Sequence, residues 1–428
     1  MFGLMAGLMG VRVAGAALNL LTQVAFAKIF VPSDVGIIML CMSSVALVSL
    51  FAELGYTWLS FTQLPRMETK GLRIFWPRYH SAILQDASKS YVLIVAITIA
   101  ALIFAPISEP IKLTLLFACI CAPGSMFLRY NSAVANSVRR FSLSAVPDFI
   151  FRPGILLVVV VAAFLVGMPL TVLQTMIVFT VAMYVVSIAQ AVILGKDGAL
   201  LSYWHRRRNS FTRVLRSRAL PLAFIAAVAT SFSDIITLTA GLLLPSDDVA
   251  SLAVAVRLAA IAGFVIQVAQ QFVLPDLTQA VTQRNASQVY QLLTRLNALT
   301  ISVIIAGLIA TWLLGAFVLS FFGPHYVAAQ NLLLAFMVGQ SIRAFSGMNQ
   351  QLLSMAGLQN KTVISCVTAL LFFVGCSTLL VPYFGFMALG YAVIAAELAW
   401  SMMLASQALR LTGRRGDIFW LLANKPAL

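Results

Sequence analysis

Apolar residues along this chain come in long unbroken runs separated by short polar breaks, and they do not alternate. Strands of a membrane barrel alternate apolar and polar positions over about ten residues. Each run here instead approaches the roughly 20 residues that a helix needs to cross a bilayer. A helix also satisfies its backbone hydrogen bonds within one continuous run, as lipid requires. The pattern predicts an all-α polytopic membrane protein with about twelve transmembrane helices. The expected spans are 2–29, 35–58, 90–107, 113–128, 143–166 and 171–194, then 219–243, 249–274, 298–321, 329–357, 362–381 and 384–409. The first run lacks a basic leader and a small-residue cleavage site, so it is expected to remain as a span.

Composition agrees with that reading. Of 428 residues, 61% are hydrophobic and 10% charged, and mean hydropathy is +0.98, more apolar surface than a water-soluble domain can cover. The net charge of +15 would suit nucleic acid, but its placement argues for topology instead. Of the 28 Lys and Arg residues, 22 fall in every second loop or the C-terminal tail. The segment 196–218 alone holds Lys196, Arg206, Arg207, Arg208, Arg213, Arg216 and Arg218. These loops and both termini are expected to face the cytoplasm of a bacterial inner membrane, and nucleic acid is not expected as a partner. All five cysteines lie within spans and the three histidines in separate loops, so neither disulfides, a metal site nor a cofactor is expected. Two segments mix aromatic and basic residues, 71–88 and the tail 417–424, and both read as amphipathic stretches lying in the membrane interface.

The basic segment divides the spans into a six-helix bundle over 1–195, a linker over 196–218, a second bundle over 219–410 and an amphipathic tail over 411–428. The halves echo each other. Pro32 and Pro245 follow spans one and seven and stand 213 apart, Pro65 and Pro275 stand 210 apart, and Arg129 and Arg343 stand 214 apart. Transporters built from such parallel repeats hold substrate between the halves.

A charged residue at mid-membrane costs roughly 2.5–3.5 kcal/mol on insertion scales and must face protein or water. Span one carries Arg12, Asn19 and Gln23 on one helical face. Span seven carries Thr230, Asp234, Thr237 and Gly241, span eight Arg257, Gln267 and Gln271, and span ten Gln340, Arg343, Gly347, Gln350 and Ser354. Two readings stay open: a wet cationic cavity, or buried interhelical pairs such as Asp234 with Arg257. Asp148 and Arg152, four residues apart, suit a local pair. Glu53 suits snorkelling at a span end, and Glu397, mid-span, suits either a buried hydrogen bond or proton coupling. Excess arginine in a cavity suits an anion, because the guanidinium binds phosphate oxygens in pairs and keeps its charge when partly desolvated.

Several stretches carry a resemblance: 19–36 (NLLTQVAFAKIFVPSDVG), 51–55 (FAELG), 234–258 (DIITLTAGLLLPSDDVASLAVAVRL), Phe322-Gly323 with Tyr326, and 340–357. With the span order, they resemble the polysaccharide transporters, the O-antigen and exopolysaccharide flippases of the multidrug/oligosaccharidyl-lipid/polysaccharide exporter (MOP) superfamily. The resemblance implies a MATE-like V of two six-helix bundles, no catalytic residues, and an undecaprenyl-diphosphate-linked oligosaccharide as substrate. Related lipid II flippases usually carry two further helices. Among partners it implies membrane lipids, H+ or Na+ as coupling ion, and other membrane proteins of glycan assembly. By position, Arg12, Arg257 and Arg343, with Asn19, Gln23 and Gln350 beside them, would receive the diphosphate or acidic sugars, and Asp234 and Glu397 would couple an ion. A drug/cation exporter on the same fold is the alternative. A glycan-assembly enzyme would need a larger external loop than the few residues available.

Overall fold

The computed structural model describes residues 2–104, 109–168, 170–196, 211–283, 285–412 and 416–418, and their regular structure is helical throughout. Ten of the described helices are long and apolar enough to cross a membrane. The chain is a multi-pass membrane protein. The other two expected spans are present as interrupted helices. The chain forms two compact units, Met1–Leu242 and Leu243–Leu428.

The first unit contains α1 (Phe2–Ile29), α2 (Pro32–Ala52), α3 (Tyr56–Thr69), α4 (Trp76–Phe104), α5 (Glu109–Ser137), α6 (Phe141–Val146), α7 (Arg152–Leu165), α8 (Val172–Lys196), α9 (Phe211–Thr230) and α10 (Phe232–Leu243). Helix α2 starts on Pro32, whose missing N–H would be unpaired in a first turn anyway, with Asp34 near the positive helix end. It stops at Glu53, where Leu54 and Gly55 take left-handed φ values of 50° and 76°. A Cβ on Gly55 would run into the backbone of Ala219 and Ala223, so glycine lets α9 lie directly against the α2–α3 corner. The seventh span therefore packs with the first unit, whereas the sequence division groups it with the second. That span is not one rod: α9 ends at Thr230, Ser231 interrupts, and α10 begins at Phe232. The fifth span is likewise α6 and α7 joined by a π turn at Pro147–Phe151. Residues 197–210 of the basic linker lie outside the described residues.

The aromatic–basic segment at 71–88 departs from expectation. After a 3-10 turn at Arg73–Phe75, α4 runs unbroken from Trp76, and Trp76, Tyr79, Ile83 and Ala87 lie on one helical face in the unit's core with Tyr56, Leu64 and Tyr130. Leu72, Ile74 and Phe75 keep the exposure expected of an interface anchor. Period, not composition, decides: the same aromatics can anchor or pack, and here their spacing turns them inward.

The second unit contains α11 (Ser246–Thr282), α12 (Ala286–Ser320), α13 (Gln330–Phe345), α14 (Asn349–Met355), α15 (Gln359–Phe384) and α16 (Met387–Thr412). Helices α11, α12 and α13 pack on one another, and α16 packs on α13, α14 and α15. The tenth span breaks into α13 and α14 across Ser346–Met348. The start of the tail fills that break. Asn349 Oδ1 accepts from Gly416 N–H at 2.8 Å, its Nδ2 donates to Asp417 at 3.2 Å, and Met348 N–H donates to Gly416 carbonyl at 3.3 Å. Gly347 has no side chain to block that approach. Asp417 and Ile418 are thus buried in protein rather than lying in an interface, because the broken helix offers backbone partners that lipid cannot. The remainder of the expected amphipathic tail, 419–424, lies outside the described residues.

Candidate functional site

On α1, the Arg12 guanidinium lies 6.0 Å from the Phe149 ring centroid, within cation–π range, and the α1 backbone at Gly15 closes on Phe149. Arg12 is half-buried. Asn19 Nδ2 donates to its own helix at Gly15 carbonyl (2.9 Å), and Gln23 is buried with no hydrogen-bond partner for Oε1 among the described residues. Phe149 sits in the π turn, so the irregular fifth span supplies the surface against which Arg12 rests. Asp148 and Arg152 flank it as a 3.3 Å ion pair, the local pair expected from their spacing.

Asp234 lies in the first turn of α10, half-buried, just past the break at Ser231. Its threonine neighbours turn onto their own backbone: Thr230 donates to Ala226 carbonyl at 2.7 Å and Thr237 to Ser233 carbonyl at 2.9 Å. The threonine face read from sequence is therefore mostly spent on local bonds.

The two arginines at an offset of 214 residues hold equivalent roles. Arg129 on α5 pairs with Glu53 at 3.6 Å, and Arg343 on α13 pairs with Glu397 at 3.5 Å. Both carboxylates are 3% exposed, against 28% for Arg129 and 21% for Arg343. Glu53 thus does not snorkel, because Arg129 and Thr57 Oγ1 (2.8 Å to Oε2) hold it inside. Glu397 and Arg343, read separately from sequence as coupling and substrate residues, form one unit. The Arg343 guanidinium also lies 4.5 Å over the Trp400 ring, one turn along α16 from Glu397.

Elsewhere in the second unit, Arg257 is half-buried on α11, and Gln340 on α13 fills the space over Gly263 of α11. Gln350 is half-buried on α14 and Gln267 exposed on α11. The amide that bridges these helices is neither: Gln270 donates to Gly347 carbonyl at 3.3 Å and accepts from Gln351 at 3.2 Å. No Asp, Glu, His and Cys grouping suited to a metal occurs among the described residues, and the cysteines there are free.

Sequence reading missed a polar network in the first unit. Asp86, 1% exposed, takes two bonds from Arg216, one of them from Nε at 2.8 Å, and another from Tyr56 hydroxyl at 2.5 Å. Tyr79 bonds Ser60 at 3.1 Å, and His80 bonds Tyr130. Asp86 lies before the expected start of the third span, and its separation from Arg216 by 130 residues hides the pair from any local pattern.

The sequence matches no protein-family model and no curated protein. Solved structures do match in shape. A lipid II flippase, MurJ, in an inward closed conformation superposes with a TM-score of 0.73 at 13% identity, covering 97% of this chain and 89% of that one. An inward-facing multidrug resistance MATE family transporter of the MOP superfamily gives 0.67 at 14% identity, covering 96% of each chain. A MOP superfamily transporter from Pyrococcus furiosus, described as having a binding pocket of reverse polarity, gives 0.62 at 14% identity over 96% and 94%. This chain shares the fold of these transporters.

Proposed function

We propose that this protein is a flippase that moves an undecaprenyl-diphosphate-linked oligosaccharide from the cytoplasmic to the outer leaflet of a bacterial inner membrane. It works by alternating access and supplies surface polysaccharide synthesis, of lipopolysaccharide O-antigen or exopolysaccharide. The observation that carries this reading is the set of intramembrane arginines. Arg12, Arg257 and Arg343 are each half-buried rather than sealed, so each can reach an anion. Arginine at that depth is costly and matches phosphate oxygens in geometry and charge. The amides of Gln23, Gln350 and Asn19 suit sugar hydroxyls beside them, and Asp234 and Glu397 are the carboxylates placed to couple H+ or Na+ movement. The fold shared with a lipid II flippase supports the same reading.

A drug/cation exporter is the second reading, favoured by the fold shared with multidrug transporters and by the buried carboxylates Glu53 and Glu397. The two part on the arginines, which repel a cationic drug. The test replaces Arg12, Arg257 and Arg343 singly by Ala and by Lys, and measures membrane abundance beside cell-surface glycan. Ala variants are expected to lose surface glycan at normal abundance and to retain lipid-linked oligosaccharide on the cytoplasmic leaflet. Lys variants keep part of the activity. Normal glycan in all three Ala variants overturns the reading, and increased sensitivity to cationic drugs without a glycan defect selects the exporter.

A further inference from the structure

The two buried Glu–Arg pairs differ in one atom's surroundings. In the first unit both Glu53 oxygens are occupied, Oε1 by Arg129 and Oε2 by Thr57 hydroxyl. In the second, Glu397 Oε1 faces Arg343, but Oε2 is buried with no hydrogen-bond partner among the described residues, and Trp400 Nε1, three residues on along α16, is buried in the same condition. Buried polar atoms in native proteins are nearly always satisfied, so an open carboxylate oxygen calls for a reason, and a functional role is one. Both pairs, at 3.5 Å and 3.6 Å, are longer than a tight charge-assisted bond of about 2.7–2.9 Å, so the open oxygen and not the separation sets Glu397 apart. Arg343 is the more exposed partner and already has a second support, the Trp400 ring.

We propose that Arg343, Glu397 and Trp400 form an anion-triggered proton site, in which an anion meeting the exposed side of Arg343 draws the guanidinium away and Glu397 takes up one proton. This rests on the reading above that Arg343 meets an anion. The step is a simple protonation: a hydronium ion from the aqueous side gives up a proton, one of its O–H bonds breaking and leaving water, an O–H bond forms at Glu397, the carboxylate becomes neutral, and no electron moves. Its driving force is desolvation. A buried carboxylate that loses its cation neutralises rather than remain charged. The groups facing Glu397 leave few alternatives: α13 presents Arg343, α15 presents Cys366 near both members of the pair, and α14 carries no charged residue. The Trp400 face keeps Arg343 within reach, so the exchange is reversible. When Glu397 releases its proton it recovers the guanidinium and the anion is expelled. Linkage makes the coupling reciprocal: protonated Glu397 raises anion affinity by the factor by which the anion raises proton affinity. In the Glu53–Arg129 pair the second carboxylate oxygen is already held by Thr57, so that pair lacks the open atom.

The test uses the full-length protein in lipid nanodiscs with inorganic pyrophosphate as probe. Glu397→Gln, which mimics the protonated acid and frees Arg343, is expected to bind pyrophosphate about fivefold or more tightly than wild type at about pH 8, the low end of ordinary coupling strengths. Misfolding produces loss and not this gain. Glu53→Gln leaves affinity unchanged, and Arg343→Ala removes the gain from the Glu397→Gln background. Should Glu397→Gln fail to accumulate, wild-type affinity for sulfate, which does not titrate near neutrality, decides: it must weaken as pH rises from about 6 to about 8. Arg343-dependent binding that neither tightens in Glu397→Gln nor varies with pH overturns this inference alone. Absence of Arg343-dependent binding in every variant overturns it together with the substrate reading.

Discussion

At the residue scale, three buried carboxylates of this protein each pair with an arginine that reaches outward. Glu53, Glu397 and Asp86 are almost fully buried, while Arg129, Arg343 and Arg216 remain partly exposed. The asymmetry follows from chemistry, since a long guanidinium stem can cover apolar surface and still present its head to a polar region. Asp86 gives the sharpest consequence. Arg216→Ala leaves that carboxylate buried with the Tyr56 hydroxyl bond as support among the described residues, and removal of one partner of a buried pair costs about 3–5 kcal/mol. Arg216 is half exposed, so solvent screening reduces the cost to about 1–3 kcal/mol. Thermal unfolding in detergent is expected to show the loss for Arg216→Ala. The double variant Asp86→Asn/Arg216→Ala should recover part of it, because the buried charge is gone. Equal losses in the single and double variants would show that Asp86 is not held by Arg216.

At the element scale, the interruptions of α2–α3, α6–α7, α9–α10 and α13–α14 distinguish the structure from twelve straight rods. Each break exposes backbone groups that lipid cannot satisfy, and protein packs against three of the four: α9 at Gly55, α1 against the π turn, the tail at Ser346–Met348. The Gly55 corner can be tested against a matched control. Gly55→Ala meets a left-handed backbone cost of about 1–2 kcal/mol and a collision with the α9 backbone worth about 1–3 kcal/mol. Gly71 also has a positive φ of 66° but nothing within 4 Å of its would-be Cβ. Gly71→Ala is therefore expected to show only the backbone cost, and membrane abundance should fall clearly more for Gly55→Ala. Equal effects would mean that the α2–α3 corner does not depend on close contact with α9.

At the scale of the whole molecule, the charge pattern makes the topology testable without knowledge of substrate. Reporter fusions at 196–218 and at the C-terminus are expected to read as cytoplasmic, and fusions at 245–248 as external. A cytoplasmic reading at 245–248 would reverse the second unit. The run lengths and the basic loops were sufficient for the helical class, for the near-twelve span count and for the Asp148–Arg152 pair, because insertion into lipid depends on local composition and i, i+4 pairing on local geometry. The 214-residue offset between Arg129 and Arg343 was also visible, and both positions carry a buried ion pair. Composition could not separate buried aromatics from interface anchors at 76–87, nor place Asp417 in a helix break. It could not join Glu53 to Arg129, Asp86 to Arg216, or Glu397 to Arg343, since each pair is made by helices far apart in sequence. Sequence by itself determined where the chain must be helical, because a backbone in lipid has no other way to satisfy its polar groups. Tertiary structure alone decided which charges meet, because a partner in a low-dielectric interior is set by packing across helices and leaves no periodic trace along the chain.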